Sequence, residues 1–182
     1  MGKILRYFLA VLPAALYSLT GCNTTGCLQN QSSVPLAGFF ASSTDESIRV
    51  DSLCIFGIGA PNDSSLISGT AASMVYLPLR SSASETSFCI RYLQKALDFP
   101  EFNDTISIGY TSEPKFVSEE CGAMYCYNID TVAHTCHFID SVSVLEPYID
   151  NIDVMRLKIY FRTTADDDTP EEDDNESDEP HL

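Results

Sequence analysis

The segment that decides the fold is VMRLKIYFR, residues 154–162. Apolar side chains recur there at every second position, at Met155, Leu157, Ile159 and Phe161. The basic side chains of Arg156, Lys158 and Arg162 take the intervening positions. Because successive side chains of a strand point to opposite faces, this alternation predicts a β-strand with one buried and one solvated face.

Eight other segments are rich in β-branched and aromatic residues and are bounded by Gly, Pro, Asn, Asp and Ser. They are residues 34–42, 47–58, 72–79, 86–93, 104–111, 115–118, 123–129 and 134–145. This density of short strands predicts an all-β fold, an antiparallel β-sandwich of immunoglobulin-like type. A small closed β-barrel is the alternative. The chain has no Trp, so Phe, Tyr, Ile, Leu and Val must build its core.

The chain is strongly acidic, with a formal net charge of -16 over 182 residues. Residues 166–179 contain ten acids and no base. A protein without a basic surface cannot displace counterions from phosphates, so nucleic-acid binding is excluded as a function class. We predict a sandwich domain over residues 34–164 and a disordered acidic tail over residues 165–182, because that tail has almost nothing to bury.

The N-terminus has the layout of an export signal, with Lys3 and Arg6 followed by an uncharged apolar run. The run ends in Leu-Thr-Gly-Cys, residues 19–22, which resembles the lipobox of bacterial lipoproteins. The resemblance implies a signal peptide over residues 1–21, acylation of Cys22 and an anchor linker over residues 22–33. Asn23, in place of an Asp, favours the outer membrane, and the absence of an acidic cluster in the linker favours its periplasmic leaflet.

Six cysteines remain after Cys22, and an exported chain meets an oxidising compartment in which thiols tend to pair. Cys126 and Cys136 flank residues 130–132 symmetrically, so a hairpin that turns there predicts a disulfide between them. Cys27 is a candidate partner for Cys121, which would tie the linker to the body.

Cys54 and Cys89 are then the remaining candidates for a disulfide with each other, or both are free thiols. The strand pattern places Cys54 on an apolar face and Cys89 beside Ser87 and Arg91.

The cluster HTCHFID, residues 134–140, is the densest group of functional side chains. In the predicted hairpin Cys126, His134 and Cys136 would share one face as three zinc ligands, although the two thiols would rather form a disulfide. A fourth ligand is missing, so no cofactor is expected. An enzyme or a metal-binding protein that uses His134, His137 and Asp140 is the alternative function, but no catalytic residue is assigned.

Four Asp-Ser/Thr-apolar triplets resemble the O-glycosylation sequon of exported Bacteroidota proteins. Their hydroxyl residues are Ser52, Thr105, Thr131 and Ser141. Strands that start after an aspartate turn would give the same pattern by composition alone, and both interpretations stay open.

Several stretches together resemble a Bacteroidota lipoprotein family, the domain-of-unknown-function family 6452. They are the lipobox, Cys27, PLAGFFASST, VDSLCIFGIGAPNDS, VYLPLRS, KFVSEECG, HFIDSV and RLKIYF. The resemblance implies an anchored envelope protein and supplies no catalytic residue.

The sequence as a whole therefore predicts a lipid-anchored, non-enzymatic binding or assembly module of the cell envelope. Its expected partners are the membrane, through acyl chains on Cys22, and an envelope protein or a glycan.

Overall fold

The computed structural model describes residues 30–61 and 64–163. The predicted signal peptide, Cys22, Cys27, most of the anchor linker and the acidic tail lie outside the described residues. Among the residues described, no helix is long and apolar enough to cross a bilayer.

Ten strands make up most of the described chain, and a short 3₁₀ turn covers Pro100–Phe102. The strands are β1 (Leu36–Ala41), β2 (Val50–Gly57), β3 (Ser65–Ala72), β4 (Met74–Tyr76), β5 (Glu85–Tyr92), β6 (Asp104–Ser118), β7 (Gly122–His134), β8 (Ile139–Val144), β9 (Tyr148–Ile149) and β10 (Met155–Phe161).

These strands form two sheets that pack face to face. The smaller sheet has the order β4-β1-β10-β8, and the larger has the order β3-β2-β5-β6-β7-β9. Only the β1–β10 pair is parallel among the pairings described; the others are antiparallel. The predicted β-sandwich is therefore confirmed, and the strands described do not close into the alternative barrel.

The alternating segment of residues 154–162 forms β10, which lies between β1 and β8 in the smaller sheet. Its side chains at Leu157, Ile159 and Phe161 are buried, as the alternation predicts. The prediction is wrong at the start of the strand, where a register shift against β1 puts Met155 beside Leu36 on the outer face. Arg156, predicted to be solvated, is buried and paired with Asp150. Phe161 packs edge to face on Phe39 of β1, with ring centroids 5.3 Å apart. Facing side chains from the larger sheet, among them Leu53, Ile55, Phe88, Ile90, Ile106 and Ile108, complete one continuous core.

Strand β3 was not predicted, because its sequence SLISGTAA has few large apolar residues. It pairs with β2 at the border of the larger sheet, and most of its side chains are exposed or half-buried. Backbone pairing along an edge, rather than burial, therefore accounts for this strand.

The predicted hairpin turn at residues 130–132 is wrong. β6 and β7 form one long hairpin that turns between Ser118 and Gly122, where Gly122 adopts a φ of 72°. Residues 130–132 lie inside β7, where the pairing register shifts between Gly109 and Tyr110. The polar Asp130 that suggested a turn thus sits at a β-bulge, which tolerates an unpaired residue inside a strand.

Candidate functional site

The loop between β7 and β8 carries the histidine cluster, and it is organised around the carboxylate of Asp104. Asp104 is the first residue of β6 and is completely buried. It occupies the same face of the strand as Ile106 and Ile108, so an acid stands at a core position. That phase relation is the sequence signal for a buried Asp104, whereas the local pattern Asp104-Thr105-Ile106 suggests only a glycosylation triplet.

Five hydrogen bonds converge on the Asp104 carboxylate. Oδ1 accepts from the Thr135 hydroxyl at 2.7 Å and from the His137 backbone N–H at 2.9 Å. Oδ2 accepts from the backbone N–H groups of Phe138 at 2.8 Å and Ile139 at 3.1 Å. The Tyr92 phenol donates the fifth bond, to Oδ2, at 2.9 Å. Together these donors occupy the acceptor positions of the carboxylate, which leaves it no capacity for a substrate.

The hydrogen bonds decide the ionisation of Asp104. Burial raises the pKa of this carboxyl, but the bonds from Thr135 and the loop backbone outweigh that effect, so its pKa lies below the ordinary value. Burial and the adjacent charge of Asp104 raise the pKa of Tyr92. Asp104 is thus a charged structural anchor beneath the loop and not a proton-transfer group.

The two histidines are held by backbone carbonyls. His137 Nδ1 lies 2.9 Å from the Asn103 carbonyl oxygen, and His134 Nδ1 lies 2.9 Å from that of Thr135. Each carbonyl can only accept, so each Nδ1 carries the proton. His137 Nδ1 is also 3.5 Å from Asp104 Oδ1.

Arg162 holds the outer side of the same loop. Its Nη1 donates to the carbonyl oxygens of Cys136 at 2.6 Å and His137 at 3.1 Å. Its Nε lies 3.4 Å from the Asp140 carboxylate. The predicted group His134, His137 and Asp140 is therefore engaged with the backbone and with Arg162.

The predicted zinc set is not assembled. Cys126 is buried in the middle of β7, whereas Cys136 is exposed in the loop beyond the end of that strand. Cys136 Sγ is 3.7 Å from His134 Nδ1, but Cys126 hydrogen-bonds Tyr148 and raises the pKa of that phenol to about 12. In the part of the chain that the structure describes, no group of three or more His, Cys, Asp and Glu could hold a metal ion.

The predicted disulfide between Cys126 and Cys136 is wrong, because both are free thiols. Their hairpin does not exist, so nothing brings the two strand positions opposite each other.

Cys54 and Cys89 are also free thiols, and both are half-buried. Cys54 pairs with Arg91 and Cys89 with Phe56, so the two thiols are diagonal neighbours on one face. That face is the outer one, since Leu53 and Ile55 point to the core; the prediction that Cys54 lies on the apolar face is wrong. Desolvation by burial raises the pKa of the Cys89 thiol.

Cys121 lies in the turn of the long hairpin and is disulfide-bonded. Its carbonyl oxygen accepts a hydrogen bond from the Gln31 side chain. The predicted partner, Cys27, is outside the described residues, as is Cys22.

The four glycosylation candidates differ in exposure. Thr131 is exposed, whereas Ser52, Thr105 and Ser141 are half-buried within strands. Because Asp104 is buried, an enzyme could read the triplet around Thr105 only in an unfolded chain. Glycosylation of these residues stays a prediction.

The outer face of the smaller sheet carries large apolar and aromatic side chains that are exposed or half-buried. We call it the aromatic face, and it consists of Leu36, Phe40, Met74, Tyr76, Met155 and Tyr160. Strand pairing puts Tyr76, Leu36 and Met155 in one row across the sheet and Phe40 beside Tyr160 in another. Met74 and Tyr76 are 51% and 47% exposed.

Gly38 keeps this face flat at its centre. Met155 and Phe40 lie over its α-carbon so closely that a β-carbon there would collide with both side chains.

Charged side chains hold two of the aromatic rings, and one of these charged side chains, Lys158, lies within the face, in the row between Met155 and Tyr160. Asp45 Oδ1 accepts from Lys158 Nζ at 2.7 Å and from the Tyr160 hydroxyl at 2.9 Å, which lowers the pKa of Asp45. Lys158 Nζ lies 4.2 Å from the Phe40 ring centroid. On the other side, Tyr76 donates to the Asp153 carboxylate at 2.9 Å, which raises the pKa of Tyr76.

Two cavities border the regions just described. One, of about 260 Å³, opens beside Tyr76 and Asp153 and is lined also by Asn30 and Asn151. The other, of about 490 Å³, lies near Arg49 and Arg162. Neither is lined by His134 or His137.

Comparison with known protein families assigns the chain to one of them. The model of a family described as "Family of unknown function (DUF6452)" matches residues 52–161, more than half of the sequence. The chain belongs to this family. No curated protein and no solved structure matches it. The matched region of this DUF6452 chain runs from β2 to the end of β10 and contains Asp104, the histidine loop and most of the aromatic face.

Proposed function

We propose that this DUF6452 protein is a lipid-anchored, non-enzymatic binding module of the cell envelope. Its contact surface is the aromatic face of the smaller sheet, and its partner is another envelope protein. The observation that carries the proposal is the exposure of Met74 and Tyr76 on the same sheet face as Phe40 and Tyr160.

The composition of the face favours a protein partner. Tyr, Phe and Met are enriched at the centres of protein–protein interfaces, and charged residues are depleted there. On this face Lys158 lies in the row between Met155 and Tyr160, but its charge is paired with Asp45 and its ammonium group lies 4.2 Å from the Phe40 ring centroid. Asp153 bonds Tyr76 at one margin. A surface of aromatic and apolar side chains with few charges, each of them paired, has the composition that such interfaces use.

The histidine loop offers less support for the alternative of an enzyme. The one buried acid beneath it, Asp104, is saturated by five donors, and the exposed acid Asp140 faces Arg162. A general base needs a free acceptor close to its substrate. With the proton on Nδ1, Nε2 of His134 and of His137 can accept, but neither of the two cavities described above is lined by these histidines.

We further propose that Cys22 is acylated and that Cys27 bonds to Cys121. Supporting the second pairing, Cys121 is disulfide-bonded while Cys54, Cys89, Cys126 and Cys136 are free. The bond would hold the anchor linker against the turn of the long hairpin.

Labelling with a fatty-acid probe tests the acylation: the wild type should be labelled and Cys22→Ala should not. An unlabelled wild type would refute it.

Site-specific photo-crosslinking tests the contact surface. A benzophenone amino acid replaces Met74 or Tyr76 in the full chain, in the cells that produce it. A matched control carries the same group in place of Leu66, an apolar side chain with 39% exposure on the larger sheet. We expect a discrete protein adduct from positions 74 and 76 and none from position 66. Adducts from position 66 alone, or no adduct at 74 and 76, would refute the proposed surface.

A further inference from the structure

The long β6–β7 hairpin extends beyond the body of the sandwich. Strand β5 pairs with β6 only over residues 104–109, and β9 pairs with β7 only at Tyr127 and Asn128. From the Glu113–Cys126 pair to the turn that contains Cys121, β6 and β7 pair only with each other and form a two-stranded ribbon.

One side of this ribbon is apolar and exposed. Pro114 lies directly opposite Tyr125, and Phe116 lies directly opposite Ala123, so the four share one face. We call these four residues the hairpin tip. Phe116 is 69% exposed, the largest value for any bulky apolar residue of the described chain, and Tyr125 is 47% exposed.

The charged side chains of the ribbon lie on its opposite face or in its turn. Glu113 and Lys115 alternate with Pro114 and Phe116 along β6, so their side chains point to the opposite side. Glu119 and Glu120 lie in the turn itself, at the end of the ribbon. The hairpin tip is thus an uninterrupted apolar patch with acids at its margin.

The N-terminal segment reaches the ribbon at the same place. The Gln31 side chain donates to the Cys121 carbonyl, and Asn30 and Asn151 exchange two hydrogen bonds at 2.8 and 3.2 Å. Only seven residues lie between Cys22 and Asn30, which are therefore eight residue steps apart. At about 3.5 Å per residue, a fully extended linker spans at most about 28 Å.

We propose that the hairpin tip rests on the lipid surface, with the rings of Phe116 and Tyr125 in the headgroup region. This inference rests on the proposed acylation of Cys22, which would hold the tip within reach of the bilayer. The Tyr125 ring favours that interface because its apolar body and its hydroxyl meet both environments there, and the Phe116 ring gains because its apolar surface leaves water. The acids of the turn remain in water, so the contact is shallow and does not need anionic lipid.

The consequence is a fixed orientation. An acyl anchor on a linker holds a domain near the bilayer without orienting it, whereas a second contact at the hairpin tip sets the angle of the sandwich. The aromatic face of the smaller sheet is then presented in a constant direction to its partner.

The absence of Trp from the chain makes a direct test available. Phe116→Trp and, separately, Tyr125→Trp place one fluorophore at the tip of the full lipidated chain. Leu66→Trp is the control on the larger sheet. Each variant is reconstituted into phosphatidylethanolamine–phosphatidylglycerol vesicles, with and without brominated acyl chains, and flotation measures anchoring.

We expect the emission of both tip variants to move to shorter wavelength on vesicles and to lose most of its intensity with brominated lipid. The emission of Leu66→Trp should change in neither respect. If the protein floats with the vesicles but the tip variants behave like the control, the tip contact is refuted and the acyl anchor stands. A blue shift without quenching indicates a protein contact and also refutes it. If the lipidated chain does not float, both the anchor and the tip contact fail.

Discussion

The phenol of Tyr92 donates a hydrogen bond of 2.9 Å to Oδ2 of Asp104, and both residues are buried. The bond links the end of β5 to the start of β6. The same carboxylate binds three consecutive backbone N–H groups of the loop before β8. One charged side chain therefore fixes the loop that holds both histidines, at one end of the larger sheet.

Asp104→Asn should destabilise the fold strongly. The amide keeps one acceptor, but its NH₂ group would face donors that the carboxylate now satisfies, and an unsatisfied buried donor is costly. We expect a loss of about 3 kcal/mol in the free energy of unfolding, measured by urea denaturation. Asp98→Asn, which removes the carboxylate of an exposed ion pair with Arg91, is the control and should change little. Equal effects of the two substitutions would contradict the structural role of Asp104.

The contribution of Asp104 should depend on pH in one direction. Its folded-state pKa is lower than the ordinary value of 3.8, so ionisation stabilises the fold at every pH above that value. This stability is lost as the pH falls below 3.8 and through the folded-state pKa. The difference in stability between the wild type and Asp104→Asn should therefore be constant near neutral pH and shrink in acid. A difference that grows in acid would show that the pKa is raised instead.

The four described free thiols should react with maleimide in an order set by burial. Cys136 is exposed and should react first, Cys54 and Cys89 are half-buried and should follow, and Cys126 should react only when the fold opens. The raised pKa of Cys89 slows it further, because the thiolate is the reactive form. Time-resolved peptide mass spectrometry measures the order, with the urea-unfolded protein as the control. A Cys126–Cys136 cross-linked peptide in the unreduced digest would contradict the structure.

Gly109 should be sensitive to substitution because Thr131 lies directly across from it. A β-carbon at position 109 would collide with the Thr131 hydroxyl oxygen. We expect Gly109→Ala to cost about 1–3 kcal/mol by overpacking. Thr131→Ala removes that oxygen, so the double variant should recover most of the loss in thermal unfolding. Additive effects in the two single variants and the double variant would argue against this contact.

The strands with strict alternation could be predicted from sequence, and β10 shows why. Burying Leu157, Ile159 and Phe161 on one face requires the period of two that is visible in the chain. Where pairing rather than burial holds a strand, as in β3, the sequence carries little signal. At Asp130 the sequence predicted a turn where the structure has a bulge inside a strand, because aspartate is far more typical of turns than of strands.

Part of the candidate site had a sequence signal that was not used. Asp104 lies on the same strand face as Ile106, Ile108 and Tyr110. An acid at such a core position predicts that buried hydrogen-bond donors surround its carboxylate. The aromatic face had a weaker signal. Nothing in the sequence says that Phe40 and Tyr160 lie side by side, because that contact depends on the parallel pairing of the first and last strands.

The most direct test of the proposed function compares the two candidate surfaces in one assay. The yield of the adduct from a photo-crosslinker at position 74 is measured in two backgrounds, Tyr160→Asp and the double variant His134→Ala and His137→Ala. We predict that the charge on the aromatic face abolishes the adduct and that the histidine variant retains it. Loss of the adduct in the histidine variant, with full yield in Tyr160→Asp, would contradict binding through the aromatic face.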